Sequence, residues 1–313
     1  MEQEPKTLQA ATVYFNDLAN CREYIMARRW PNGVACPTCG SSKVTFSVKH
    51  NRWQCGSHHP KRQFTVKTGT IFEDSPLGLD KWLMAMWMII NCKNGVSSYE
   101  IAKDLGITQK SAWFILHRLR EVMQDESGPK LAGEIEADET FVGGITKNMH
   151  RRSKRLKNAK GSNNWGKSVV LGLLERDGRA RAAVAPNRHK HVIHENLVAN
   201  VEAGSKLYTD EHVSYENVPY AREIINHAQV YVQGHVHTNG IENFWSLLKR
   251  TLKGTYVSVD PAHLQAYLNE QVFRFNNRKE MNDADRFDLA VRQVTGKRLT
   301  WNTLINKQPV ERP

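Results

Sequence analysis

The chain has 313 residues, 40% of them hydrophobic with 8 Trp and 10 Phe, which is enough for two or three domains with proper cores. Its 44 Lys and Arg against 32 Asp and Glu leave a formal charge of +12, which points to a polyanionic partner. The opening residues MEQEPKTLQA carry acids and no apolar run, and the longest unbroken apolar stretch, Trp82 to Ile90, falls well short of a bilayer; neither a signal peptide nor a membrane span is expected, and the predicted location is cytoplasmic.

Residues 1 to 30 carry a helical pattern, FNDLANCREYIMARRW, that ends at Pro31 and Gly33 and reads as a lead-in helix. From Val34 to Val66 a CxxC knuckle, two β-type runs and a second knuckle follow one another, the spacing of a zinc ribbon. A segment this small and polar needs the metal to fold. The expected ligands are Cys36, Cys39, Cys55 and His58, with His59 competing for the fourth place. Four protein ligands leave no open coordination position, so this zinc is structural. Cys21 and Cys92 read as small core residues.

TGTIFEDSPLGLDKW then leads into an apolar helix around Lys81 to Cys92. A cap near Ser98, a helix to Leu105, a turn at Gly106, a second cap at Thr108 and a helix to Met123 give a helix-turn-helix layout. Its second helix would offer Gln109, Lys110, Ser111, His117 and Arg118 to DNA, with Ala112, Ile115, Leu116 and Leu119 inward.

After Ser127-Gly128-Pro129 the hydrophobic period changes from helical to strand-like. GEIEADETFVGG reads as a strand ending on Asp138, followed by strands SVVLGLLER and RARAAVA and a helix from His191 to Ala203. Next come a strand KLYTD ending on Asp210, a strand REIINHA, an amphipathic helix in HTNGIENFWSLLKR and a last helix over Pro261 to Arg278. That order matches the ribonuclease H-like fold, with one carboxylate each on the first strand, the fourth strand and the following helix. Asp138, Asp210 and Glu242 occupy those places. Lys249, seven residues after Glu242, projects on the same side of the helix, although an acid early and a base late also complement the helix dipole. Residues 146 to 167 hold eight Lys or Arg and no acid, among them Arg151, Arg152, Lys154 and Arg155, and read as a phosphate-gripping loop. The expected divisions are 1–67 (lead-in helix and ribbon), 68–126 (helix-turn-helix region), 130–280 (catalytic domain) and 281–313 (C-terminal tail). The fold class is therefore multidomain α/β.

Three acids converging in a basic chain fit phosphodiester chemistry with two hard divalent cations, Mg²⁺ or Mn²⁺. With CPTCG, TGTIFEDSPLGLDKW, IEADETFVGG, LYTDEHVSY and HTNGIENFWSLLKR in this order, the chain resembles the DDE insertion-sequence transposases, in the bacterial group with an N-terminal zinc ribbon often called ISXO-two-like. The resemblance implies that Asp138, Asp210 and Glu242 are the triad, that Lys249, with Arg250 beside it, meets the element end, and that His237 and Asn239 serve the site or cap its turn. It also implies hydrolysis at the element ends, attack of the freed 3′-hydroxyls on target DNA, and a dimer or larger synaptic assembly on double-stranded DNA. The family's second knuckle is CxxC, so His58 is a departure. A catalytically silent regulator on the same fold and a stand-alone nuclease are the competing readings.

Overall fold

The computed structural model describes residues 4–124, 128–143, 166–176, 178–224 and 238–305. The chain divides into two compact units: Met1–Gln124 with Asn277–Asn306, and Asp125–Asn276 with Lys307–Pro313. Among the described residues no helix is long and apolar enough to cross a membrane.

In the first unit the lead-in segment forms two helices, α1 (Leu8–Phe15) and α2 (Leu18–Arg29), because Asp17 breaks the run and caps the second by accepting from the Ala19 amide at 2.7 Å. The ribbon is a three-stranded antiparallel sheet, β1 (Val44–Ser47), β2 (Arg52–Cys55) and β3 (Gln63–Phe64). Helix α3 (Leu79–Asn91) is buried around most of its circumference. Helices α4 (Ser98–Leu105) and α5 (Gln109–Val122) follow, and their limits are local chemistry. Ser97 and Glu100 make a reciprocal capping box, Gly106 ends α4 in the left-handed region at φ 61°, and Thr108 caps α5.

Residues 281–305, part of the stretch assigned from sequence to a C-terminal tail, belong to this unit. They form α9 (Asp283–Arg292) and α10 (Trp301–Ile305); α6 to α8 lie in the second unit. Phe287 is fully buried, its ring centroid 4.9 Å from that of Trp87, 5.5 Å from Phe15 and 5.6 Å from Tyr24. Phe287→Ala is expected to destabilise the unit by about 3–5 kcal/mol, read as a lowered urea midpoint; an unchanged midpoint would restore the tail.

The second unit is a five-stranded mixed sheet in the order β6-β5-β4-β7-β8. Its strands are β4 (Glu134–Val142), β5 (Ser168–Glu175), β6 (Ala180–Ala185), β7 (Lys206–Thr209) and β8 (Ala221–Ile224). β4 to β6 pair antiparallel, and β7 and β8 join parallel. Alternation along β4 and β5 supplies two cores. Val170 and Leu174 pack on α7 (Asn239–Gly254) and α8 (Leu264–Asn276), while Ile135, Ala137, Leu171 and Leu173 pack on α6 (Lys190–Asn200). The result is the three-layer α/β/α arrangement of a ribonuclease H-like domain.

Candidate metal centre and acidic site

At the ribbon, β2 delivers Cys55 and the first knuckle delivers Cys36 and Cys39. The ligand atoms of Cys36, Cys39, Cys55 and His59 all lie within 4.8 Å of one another. Cys39 Sγ is 3.7 Å from Cys55 Sγ, and Cys36 Sγ is 3.4 Å from His59 Nε2. A zinc tetrahedron with ordinary bond lengths has S–S and S–N edges of about 3.8 and 3.5 Å, so the donor set and its spacing fit Zn²⁺. Burial works against the Cys36 thiolate, but the backbone amides of Cys39 and Thr38 and the thiols of Cys39 and Cys55 outweigh it and bring the pKa down to about 6. His58 is corrected here: it is exposed, and the next residue turns its ring inward.

The sheet of the second unit brings Asp138 and Asp210 together. The parallel register aligns Glu136 with Tyr208, and Asp210 follows directly after the end of β7 at Thr209, near enough to Asp138 for its charge to raise the Asp138 pKa. Asp138 lies in mid-strand rather than at the strand end expected from sequence, because β4 continues to Val142. Burial, the largest influence, pushes its carboxyl up to about 6; Glu139 and Asp210 push the same way, while a hydrogen bond from Trp245 Nε1 at 2.9 Å opposes them. Asp210 Oδ1 accepts from the His212 amide at 3.0 Å, and Arg222 donates to the Asp210 carbonyl at 2.7 Å, fixing the chain as it leaves β7.

Glu242 stands exposed in the first turn of α7, with the Thr238 hydroxyl 3.4 Å from its Oε1. Among the described residues only the ribbon gathers three or more donors as tightly as a bound ion requires, so Glu242 is not drawn in as the zinc ligands are. Asn239, Lys249 and Arg250 are exposed on the same helix. His237, Arg151, Arg152, Lys154 and Arg155 lie outside the described residues.

The DNA-facing side expected of α5 is largely covered. Arg118 is 3% exposed; its guanidinium donates to the Glu73 carbonyl at 2.8 Å and lies over the rings of Trp82 and Phe114. Burial lowers its pKa to about 10, and it is a packing residue rather than a phosphate contact. His117 is buried too, its ring 4.4 Å from that of Trp113, against which Trp301 packs at 5.8 Å. Gln109 donates to the Ser98 hydroxyl, and the Ser111 hydroxyl shares a hydrogen bond with Thr108. Lys110 remains exposed, its Nζ 4.6 Å from the Trp301 ring centroid.

Sequence reasoning passed over Glu139. It faces the α6 side of the sheet, where Tyr215 donates to it at 2.8 Å and His212 lies 3.9 Å away. Burial, partly offset by Tyr215, raises its carboxyl above the usual range. Its signal was the Asp-Glu pair itself, since strand alternation places neighbouring acids on opposite faces.

The chain combines a Cys₃His ribbon with a ribonuclease H-like sheet that carries Asp138 in mid-strand. Residues 130–276 match the ISXO2-like transposase domain and residues 17–57 match the transposase zinc-ribbon domain. The chain thus carries an ISXO2-like transposase domain preceded by a transposase zinc-ribbon domain. It is also 28% identical over 264 residues to a protein described as an uncharacterized protein in transposable element ISH50 of Halobacterium salinarum, covering 79% of this chain and 88% of that protein.

Proposed function

We propose that the chain binds the terminal inverted repeats of its own insertion sequence and catalyses metal-dependent cleavage at the element ends and transfer of the freed strands into target DNA. What supports this reading is the parallel pairing of β4, which holds Asp138, with β7, which Asp210 immediately follows, together with the anchoring of the Glu242-bearing helix on Asp138 through Trp245.

The three carboxylates are a hard oxygen set suited to Mg²⁺ or Mn²⁺, and burial, helped by the nearby Glu139 and Asp210 charges, disfavours the Asp138 carboxylate in a way that a divalent cation would offset. When bound, the metal supplies activation of the attacking water or 3′-hydroxyl and charge stabilisation at the leaving oxygen. Trp245 orients the Asp138 carboxylate, and the His212 amide and Arg222 hold Asp210 at the strand end. Lys249 and Arg250 on α7, Lys110 on α5 and the basic stretch 146–167 would take DNA phosphates, which carry affinity without sequence information. The ribbon and the α4–α5 pair would recognise the repeats. Two ends must be joined, so the working form is a homodimer or larger synaptic assembly acting at the nucleoid.

The test is Mg²⁺-dependent nicking and joining of a duplex carrying the gene's flanking repeats, comparing wild type with Asp210→Asn. The variant is expected to lose about 10³-fold or more, roughly 4 kcal/mol of transition-state stabilisation. If neither protein cuts while both bind the repeats tightly, the silent regulator replaces this reading.

A further inference from the structure

One face of β4 presents two acids to α7, and both grip that helix. The Glu136 side chain is 1% exposed, and its Oε2 accepts from the Ile241 amide at 2.8 Å. Two residues on, Asp138 Oδ2 accepts from Trp245 Nε1 at 2.9 Å. Two strand residues span about 6.7 Å and the four helix residues from Ile241 to Trp245 about 6 Å, so the strand repeat and the helix pitch match over this stretch.

Glycines permit the contact. A Cβ at Gly240 would stand 2.8 Å from Glu136 Oε2 and 2.5 Å from Leu174 Cδ2. Gly172, the β5 partner of Asp138, lies under the indole, where a Cβ would be 2.3 Å from Trp245 Cζ2. The other oxygen of Glu136 faces Arg176 Nε at 3.4 Å, and that guanidinium also bonds Glu134 at 2.9 Å and lies 3.7 Å from the Tyr208 ring centroid. The Glu136 carboxylate is thus turned to a helix N-terminus and a guanidinium, where a negative charge is favoured.

We propose that Glu136 and Trp245 are positioning residues that fix the register of α7 on β4, and so determine where Glu242 is presented relative to Asp138. This rests on the reading of Asp138, Asp210 and Glu242 as the reacting carboxylates. Glu242 lies between the two anchors, Ile241 and Trp245. A slip of one residue would rotate it by about 100°.

Three variants of the full chain test this: Trp245→Phe, which keeps an aromatic ring, though a smaller one, and removes the donor; Glu136→Leu, which removes the acceptor; and Glu136→Gln, which restores one. The readouts are hydrogen exchange of the 239–242 amides, Mn²⁺ affinity by calorimetry, and kcat and KM for end nicking. Trp245→Phe is expected to lower kcat about 10²-fold with KM for DNA unchanged and to weaken Mn²⁺ about tenfold, since a misplacement of about 1 Å carries a loss of that size. Glu136→Leu should speed exchange of the first-turn amides at least tenfold, and Glu136→Gln should recover most of what Glu136→Leu loses, because it still accepts from Ile241.

Wild-type kcat and Mn²⁺ affinity in Trp245→Phe would overturn the proposal. So would a Glu136→Gln variant as inactive as Glu242→Gln, which would make Glu136 itself a reacting carboxylate. Should Glu136→Leu fail to fold, Trp245→Phe decides. If Glu242→Gln cuts normally, the triad reading fails on its own, and hydrogen exchange still judges the anchor.

Discussion

Glu242→Gln is expected to lower strand cleavage by about 10³-fold while end binding stays within a few fold, measured as metal-dependent nicking and as gel-shift affinity on the same duplex. The substitution keeps size and shape and removes only the charge. Glu242 is exposed at the start of α7, and the contacts that seat the helix belong to its neighbours: the Ile241 amide on Glu136 and the Trp245 indole on Asp138. Folding and DNA contacts should therefore survive, and the loss should fall on kcat. Loss of binding and cleavage together would count against a catalytic role.

Cys36→Ser carries the other large effect. The ribbon strands hold four, four and two residues, and their buried apolar side chains are few, chiefly Trp53, Phe64 and Val66. Such a hairpin sheet is marginal at best without the metal. Zinc at sites of this kind contributes apparent binding energies of about 10–16 kcal/mol, so losing one thiolate should release the zinc and unfold the ribbon. Bound zinc measured by mass spectrometry or a chromophoric chelator should fall, and repeat binding should fall with it. His59→Ala should release zinc in the same way and His58→Ala should not, since only the first of these rings reaches the thiols. Unchanged zinc content in Cys36→Ser would remove the ribbon from the account.

Much of the local architecture was legible because it is written in local chemistry. Ser97 with Glu100, Thr108 and Gly106 set the ends of α4 and α5 through caps that involve neighbours a few residues away. The CxxC knuckle and the alternating runs of β5 and β6 are equally short-ranged and formed where their patterns placed them, whereas β4 runs past Asp138 to Val142 and α7 begins at Asn239, ahead of Gly240. What was misread involved coverage. Arg118 and His117 looked like a DNA-facing surface until Glu73, Trp82 and a C-terminal helix with Trp301 closed over that side of α5.

The sequence by itself determined the order of strands and helices from β4 to α8, the acids on β4, after β7 and on α7, and the identity of three zinc ligands. Those follow from spacing, which a periodic chain carries within itself. Only the tertiary structure decided that His59 rather than His58 faces the thiols, that Phe287 belongs among the aromatics of the first unit, and that Glu136, Trp245 and Gly172 form one contact around Asp138. Each depends on which face is covered by residues distant in the chain. Periodicity names the faces of a helix or strand, and packing alone selects what lies against them.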